Sequence, residues 1–395
     1  MRYQSYFNTA VSLLNAYDGS VPLVHFLKNH FAQHKKHGSK DRKLISHLCY
    51  GYYRLGHAVK DLSVEERLRV SIFLCNDQAG AWNILFEQAW LDKWNDNLQQ
   101  RIDFIALLYA SFSLKDVFPW KELLSEGMDL AAFMQSHFIQ PDLFLRIRPG
   151  YEKKVPQKLT EHQLSYQAIT TTCLALPNTT KLDTILAIDK EAVVQDYSSQ
   201  RIAEFFPALT TDDSRLTPHA SPLTIWDCCA ASGGKSLLAY DTLKNITLTV
   251  SDIRPSILRN LKERFERAGI KQYESFVADL ASFKIQHSTF NIILCDAPCS
   301  GSGTWGRTPE QLYFFTEDKI AEYAELQTKI LRNMISQVDA NGYLLYITCS
   351  VFEKENEAQV NLLLQTGEFE LVKMELLKGY ELKADSMFAA LLRKG

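Results

Sequence analysis

The chain has 395 residues, 46% of them apolar and 23% charged, with a formal net charge of −3. That length exceeds one ordinary core and implies two or three domains, and the composition is that of a soluble globular protein. No apolar run approaches the roughly 20 residues needed to span a bilayer, and the near-neutral charge excludes wholesale coating of nucleic acid while leaving room for a local basic face. The start, Met1-Arg2-Tyr3-Gln4-Ser5, leads into polar sequence without a signal-peptide core, so the expected location is the cytoplasm. The eight cysteines are scattered, with no CxxC pair and no disulfide framework, as suits reduced thiols.

From Tyr3 to about Gln140 the pattern is helical. Phe7, Ala10, Val11 and Leu14 recur at helical spacing, as do Leu44, Leu48, Tyr52 and Leu55. Asp18-Gly19-Ser20 separates the first two helices, and Gly38-Ser39 precedes the third. Residues 1–140 therefore read as an all-α domain. Lys28, Lys35, Lys36, Lys40, Arg42, Lys43 and Arg54 make part of it strongly basic, with Asp41 as the acid among them. His30 and His34 have the spacing of a metal pair but lack a third ligand, so no metal is expected. The basic stretch reads equally as a solvated helix face or as a phosphate-contacting patch to which Tyr50, Tyr52 and Tyr53 add stacking.

Residues 141–221 change character. Phe144-Leu145-Arg146-Ile147-Arg148 alternates apolar and basic, which predicts a strand with an exposed basic face. Thr184 to Ile188 is a second short apolar run. Val193 to Gln200 closes this small α+β module and leads into a helix. Thr211 to Ser214 and Thr217 to His219 read as loop.

Residues 222–395 alternate strand and helix. Strand candidates are Leu223–Cys228, Ile246–Val250, Glu274–Val277, Asn291–Cys295, Tyr343–Ile347, Phe369–Met374 and Met387–Leu392. Amphipathic stretches such as Leu258–Ala268 and Lys319–Val338 lie between them. Such alternation predicts a parallel-rich sheet covered by helices on both faces.

Chemistry gathers at the strand ends. The first strand ends in Asp227-Cys228-Cys229-Ala230-Ala231-Ser232-Gly233-Gly234-Lys235-Ser236, a small-residue turn that lets backbone N–H groups approach a ligand. Gly-Lys-Ser mimics a phosphate-binding loop, but Cys229 stands where that motif needs its first glycine, which excludes an NTPase. The dinucleotide GxGxxG spacing is missing too. The second strand ends in Asp252, placed to accept both hydroxyls of a ribose, and the third in Asp279. Glycine turn, ribose acid and a third acidic end suggest a nucleoside cofactor without a pyrophosphate, which S-adenosylmethionine fits. The fourth strand runs into Asp296-Ala297-Pro298-Cys299-Ser300-Gly301, and the fifth into Thr348-Cys349-Ser350. Free cysteines are most often small buried hydrophobes. Two at strand ends, in loops of small and polar residues, favour reactive thiols.

With these motifs in hand, the chain from about Pro141 resembles the RNA cytosine-C5 methyltransferases of the Sun (Fmu) family. The matching stretches are Asp227–Ser236, Asp252, Asp279, Asp296–Gly301 and Thr348–Ser350. The segment around Gly38–Arg42 resembles the NusB-like RNA-binding domain, carried in that family by 16S ribosomal RNA enzymes of the RsmB type. The resemblance implies a Rossmann-like class I methyltransferase sheet with a small α+β module and an all-α amino-terminal domain. It implies S-adenosylmethionine held by Cys229, Ala230, Ala231, Ser232, Gly233, Gly234, Lys235, Asp252, Asp279 and Asp296. It further implies catalysis by Cys349, Cys299, Asp296 and Lys235 on an unpaired or flipped cytosine of RNA, by a monomer with no membrane and no metal. Three positions depart from the family: Ser232 replaces a proline, Ile257 an arginine, and Asp385-Ser386 precedes Met387-Phe388 where a glycine is usual.

A thiolate adding at C6 of cytosine makes C5 nucleophilic, and the C5 proton must then leave before the adduct can break. Asp296 serves as donor to the ring if burial keeps it protonated, and Lys235 pairs with Asp296 or with the cofactor's carboxylate. By resemblance Cys349 attacks and Cys299 assists release; the chemistry alone permits the swap. Transfer RNA as substrate, or a catalytically silent ribosome assembly factor, are the competing readings. Amino-methylating enzymes of this fold carry an Asn/Asp-Pro-Pro-aromatic loop, which is not the loop found here.

Overall fold

The computed structural model describes residues 2–206, 222–282 and 289–395. The strands are β1 (Leu143–Ile147), β2 (Gln167–Ala168), β3 (Cys173–Leu176), β4 (Ala192–Val194), β5 (Leu223–Asp227), β6 (Ile246–Asp252), β7 (Glu274–Val277), β8 (Phe290–Asp296), β9 (Val338–Thr348), β10 (Phe369–Leu377) and β11 (Met387–Lys394). The loops expected at Thr211–Ser214 and Thr217–His219 lie outside the described residues. Among the described residues, no helix is long and apolar enough to cross a membrane.

The apolar runs of the carboxy-terminal half pair into one seven-stranded sheet in the order β10-β11-β9-β8-β5-β6-β7. The five strands β9-β8-β5-β6-β7 are mutually parallel, and β11 runs antiparallel between β9 and β10. Residues 292–295 of β8 and 342–348 of β9 are wholly buried, which is why they read as unbroken apolar runs rather than as alternation. The chain order reverses between β5 and β8, and open α/β sheets bind ligands at the carboxyl ends beside such a reversal. All seven strands fall on the seven predicted runs. The helix predicted to reach Val338 stops at Ile335 instead. Phe290 N–H bonds Gln337 O and Val338 pairs with Phe290, so the ladder with β8 takes these residues from the helix.

The small sheet has the order β2-β3-β1-β4. Its basic face is not exposed as expected. Arg146 and Arg148 are 6% and 9% exposed. Both grip Asp241 of the helix Gly234–Thr242, Arg146 Nη1 to Oδ2 at 2.7 Å and Arg148 Nη2 to Oδ1 at 2.7 Å. Arg148 also donates to the carbonyls of Asp189 and Ala268. Alternation located the face correctly but could not reveal an acid almost 100 residues later that covers it. Breaking such a buried pair from one side costs about 3–5 kcal/mol, because the remaining charge stays buried.

Two compact units do not follow chain order. One comprises residues 1–122, 128–140 and 304–317; the other comprises 123–127, 141–303 and 318–395. The first is helical, with Phe7, Leu14, Ile45, Leu48, Tyr53 and Leu68 in its core. Its helices break at Gly19 and begin again at Ser39, as the punctuation predicts. The Ser39 helix is capped by Asp41, which accepts from Gly38 N–H and also from Arg2 and Tyr6. Residues 304–317, which follow the Cys299 loop in sequence, count with this unit. There Glu310 accepts from Leu23 N–H and the Leu312 carbonyl faces the His57 ring.

Two expectations for the basic stretch are corrected here. Arg54 is buried and bonds the carbonyls of His137 and Ile139, so it belongs to the core. Tyr52 and Tyr53 are buried among other aromatic rings and cannot stack on a bound base. Lys28, Lys35, Lys36, Lys40 and Lys43 are exposed, whereas Arg42 is tied to the His37 carbonyl.

Candidate active site

Five neighbouring strand ends, those of β9, β8, β5, β6 and β7, deliver the predicted residues. After β5 the chain makes a tight turn in which Ala231 and Gly233 both adopt the left-handed region, at φ 47° and 82°. A side chain at Gly233 would also stand 2.7 Å from Phe265 on the next helix. Gly233 is thus needed for turn and packing alike. Gly234, where a Cβ meets nothing closer than 3.8 Å, simply starts the helix that carries Lys235. Ser232 stands where Arg264 Nη1 reaches its Oγ at 3.3 Å.

Asp252, at the end of β6, accepts from Ala231 N–H at 3.0 Å and so fixes the turn from across the sheet. Arg254 closes on the same carboxylate with Nε at 3.0 Å and its own N–H at 2.9 Å. Burial works to raise the Asp252 pKa, but the bonds from Arg254 and Ala231 outweigh it and hold the group below the ordinary carboxylate range. Asp227, at the end of β5, is fully buried, accepts from Ser236 Oγ at 2.6 Å, and is pushed up to about 7 by that burial. Asp279 is exposed and accepts from Ala281 N–H and Ser282 Oγ of its own turn, bonds that do not join it to the other candidates.

Lys235 Nζ stands 2.8 Å from Asp296 Oδ2. Burial would discharge this lysine, but Asp296 first, and Cys349 and Asp227 after it, keep it charged and raise its pKa. The expectation of a protonated Asp296 rested on burial. Its side chain is 27% exposed and ion-paired, so the proton available for donation sits on Lys235.

The register of β8 on β9 explains the thiol pair. Asp296 is opposite Ile347, so Cys299 and Cys349 leave adjacent parallel strands at nearly the same height. Their Sγ atoms are 3.2 Å apart. The Cys299 thiol is pushed well above its ordinary range, first by its hydrogen bond with Cys349 and then by burial. Either sulfur can donate in this contact, and the Cys299 thiol is the one held in its protonated form. Gly303 closes the arrangement: its N–H bonds the Cys349 carbonyl at 2.8 Å and its own carbonyl accepts Ser386 N–H at 2.8 Å. Below the thiols, the hydroxyls of Ser300, Ser302 and Ser350 form a buried triangle with edges of 3.0, 3.2 and 3.2 Å.

Three further thiols gather beneath the turn. Because β5 and β8 are parallel neighbours, Cys228 and Cys295 share a face, and Cys229 joins them with all three Sγ atoms within 4.8 Å. Cys228 and Cys295 are packed in the core with Trp226, Ile293 and Ala297. The sequence reading missed this proximity, and it missed Gly303, the serine triangle and Glu355. Glu355 lies in Glu353-Lys354-Glu355-Asn356-Glu357, which reads as a solvated charge run.

Strand order and strand-end chemistry together define a class I methyltransferase fold. Residues 214–392 match the family model described as 16S rRNA methyltransferase RsmB/F. The probable ribosomal RNA small subunit methyltransferase B of Bacillus subtilis (strain 168) is 33% identical over 178 residues, covering 44% of this chain and 37% of that protein. The corresponding protein of Xanthomonas campestris is 29% identical over 51% of this chain and 46% of its own length. The matches thus span less than half of these relatives. The solved structure of PH0851 superposes with a TM-score of 0.68 at 22% identity, over 98% of this chain and 97% of that one. NSun6 from Pyrococcus horikoshii, solved with SFG, shares the fold at a TM-score of 0.54 and 15% identity, over 64% of this chain and 91% of its own.

Proposed function

We propose that the protein methylates C5 of cytosine in RNA, with 16S ribosomal RNA as the substrate, through a covalent adduct at C6. The observation that carries this reading is the Cys299–Cys349 pair, with sulfurs 3.2 Å apart at the ends of β8 and β9, next along the sheet to the Lys235–Asp296 pair. S-adenosylmethionine, held at the β5 turn and at Asp252, supplies the methyl group. The fit rests on the Ala231–Gly233 turn and on a buried carboxylate at a strand end, the arrangement that suits a nucleoside.

Cys349 adds to C6, and Lys235 donates to the ring as negative charge develops there. Cys299 gives up its proton to solvent as Cys349 turns to C6; as a thiolate it takes the C5 proton once the methyl group is in place, and the freed electron pair re-forms the C5–C6 double bond as the Cys349 sulfur leaves as thiolate. The target base must be unpaired or flipped, because the edge attacked is closed off inside a duplex.

The test is transfer of a labelled methyl group by purified protein to 16S ribosomal RNA, to transfer RNA and to a non-cytosine control, with bisulfite sequencing to locate the product. Label in 16S RNA at a bisulfite-resistant cytosine is expected. Label in transfer RNA alone would move the substrate assignment, and label outside cytosine would overturn the reaction.

The helical unit supplies RNA affinity in this reading through the exposed Lys36, Lys40 and Lys43. Reversing all three charges is expected to weaken RNA binding and to flatten its salt dependence by up to about three counterions, one per lost phosphate contact. Binding isotherms across a salt series read this out. An unchanged slope would make the stretch an ordinary solvated helix face.

A further inference from the structure

Glu355 is fully buried, yet its carboxylate is bonded to no cation among the described residues. Its Oε2 accepts from Ser300 N–H at 2.8 Å and from Gln327 Nε2 at 3.1 Å, and its Oε1 accepts from Ser350 Oγ at 2.8 Å. Ser300 follows Cys299 in the chain, and Ser350 follows Cys349. One carboxylate is therefore bonded to the residue next to each thiol. All three groups facing it are donors: Ser350 Oγ already accepts from Phe352 N–H, which leaves its proton for Glu355. Burial raises the Glu355 pKa above the ordinary carboxylate range, while the bonds from Ser300, Ser350 and Gln327 work against it in favour of the anion.

We propose that Glu355 is the positioning residue of the thiol pair, tying the Cys299 loop to the Cys349 loop so that the two sulfurs stay in contact. The inference rests on reading those cysteines as the reacting pair. The charge acts on Cys299 as well. After the bond from Cys349 and the burial of the thiol, the Cys349 and Glu355 charges are the next influences holding Cys299 in its protonated form. The other titratable groups around the pair are Lys235 and Asp296 at the β5 turn and the end of β8, Tyr346 on β9, and Tyr323 from the helix Asp318–Ile335. Tyr323 is pushed up by burial first, then by Cys299 and Glu355.

The experiment uses the full chain and needs neither RNA nor cofactor. The rate at which a mild disulfide oxidant closes the Cys299–Cys349 bridge reports how well the sulfurs are held in contact, because they must approach from 3.2 Å to about 2.05 Å. Mass spectrometry quantifies the bridge. Glu355→Gln is expected to slow closure about tenfold or more, the scale of a lost charge-assisted hydrogen bond. In a Cys349→Ala background, Glu355→Gln should also shift the pH midpoint of Cys299 alkylation downward. Glu355→Asp, which retracts the carboxylate but keeps its charge, should slow closure and leave that midpoint in place. A purely structural role would not separate these two variants. Parent closure rate and an unmoved midpoint in folded Glu355→Gln would overturn the proposal. If that variant does not fold, Ser350→Ala removes the Oε1 bond alone, and parent closure in it would be equally decisive. Absence of methyl transfer by the parent would instead count against the methyltransferase reading, and the closure rates would still decide whether Glu355 holds the two sulfurs in contact.

Discussion

Cys299→Ala is expected to accumulate as a covalent protein–RNA complex that survives denaturation, and Cys349→Ala is expected to form none. The asymmetry follows from the order of bond making. Cys349 is the sulfur that adds to C6 in the proposed order of steps, so removing it abolishes the first step. Removing Cys299 leaves attack and methyl transfer possible but takes away the base for the C5 proton. Product formation should fall by about 10²–10⁴-fold, the usual contribution of a positioned general base. With labelled RNA and cofactor, a denaturing gel should show a shifted, doubly labelled band for Cys299→Ala only. The opposite pattern would make the Pro-Cys thiol the nucleophile. Full activity in both variants would reduce the pair to packed core residues.

Much of this site was legible because it is written at strand ends. Seven apolar runs separated by helical stretches specify the sheet. Once the order is parallel, Asp252, Asp296, Cys299 and Cys349 must emerge at one edge. The register that brings the sulfurs into contact was not legible, since it depends on Asp296 lying opposite Ile347 rather than one residue away. Charges were read less well than apolar residues. Arg146 and Arg148 read as surface until Asp241 meets them, and Arg54 reads as one of a basic cluster until three acceptors of the helical unit enclose it. A charged side chain has no periodic signature of burial. Its partner is chosen by tertiary proximity, and Glu355 is the case that matters most, hidden in a run of charges that looks like solvated helix.

Gly303→Ala is the substitution expected to do most damage without touching a reactive atom. The backbone of Gly303 runs between the Cys349 carbonyl and Ser386, bonded to both at 2.8 Å. A methyl group there would lie 2.0 Å from Ser386 O and 3.0 Å from Cys349 O, and both are backbone atoms of buried loops that cannot swing aside as a side chain would. The requirement is space rather than a left-handed backbone, for Gly303 is absent from the glycines with positive φ. Overpacking of this kind costs about 1–3 kcal/mol when the surroundings yield. What yields here is the spacing of the two thiol loops. A displacement of about 1 Å at a reacting centre is worth about 10²-fold in rate. The variant should therefore stay folded with a lowered melting temperature, bind cofactor at the β5 turn like the parent, and lose about 10²-fold or more in methyl transfer. Its Cys299–Cys349 bridge should also close more slowly under mild oxidation. Parent-like transfer in a folded Gly303→Ala protein would show that the contact between the Cys299 loop and the Cys349 backbone is dispensable, and with it the account of how the sheet register sets the sulfur-to-sulfur distance.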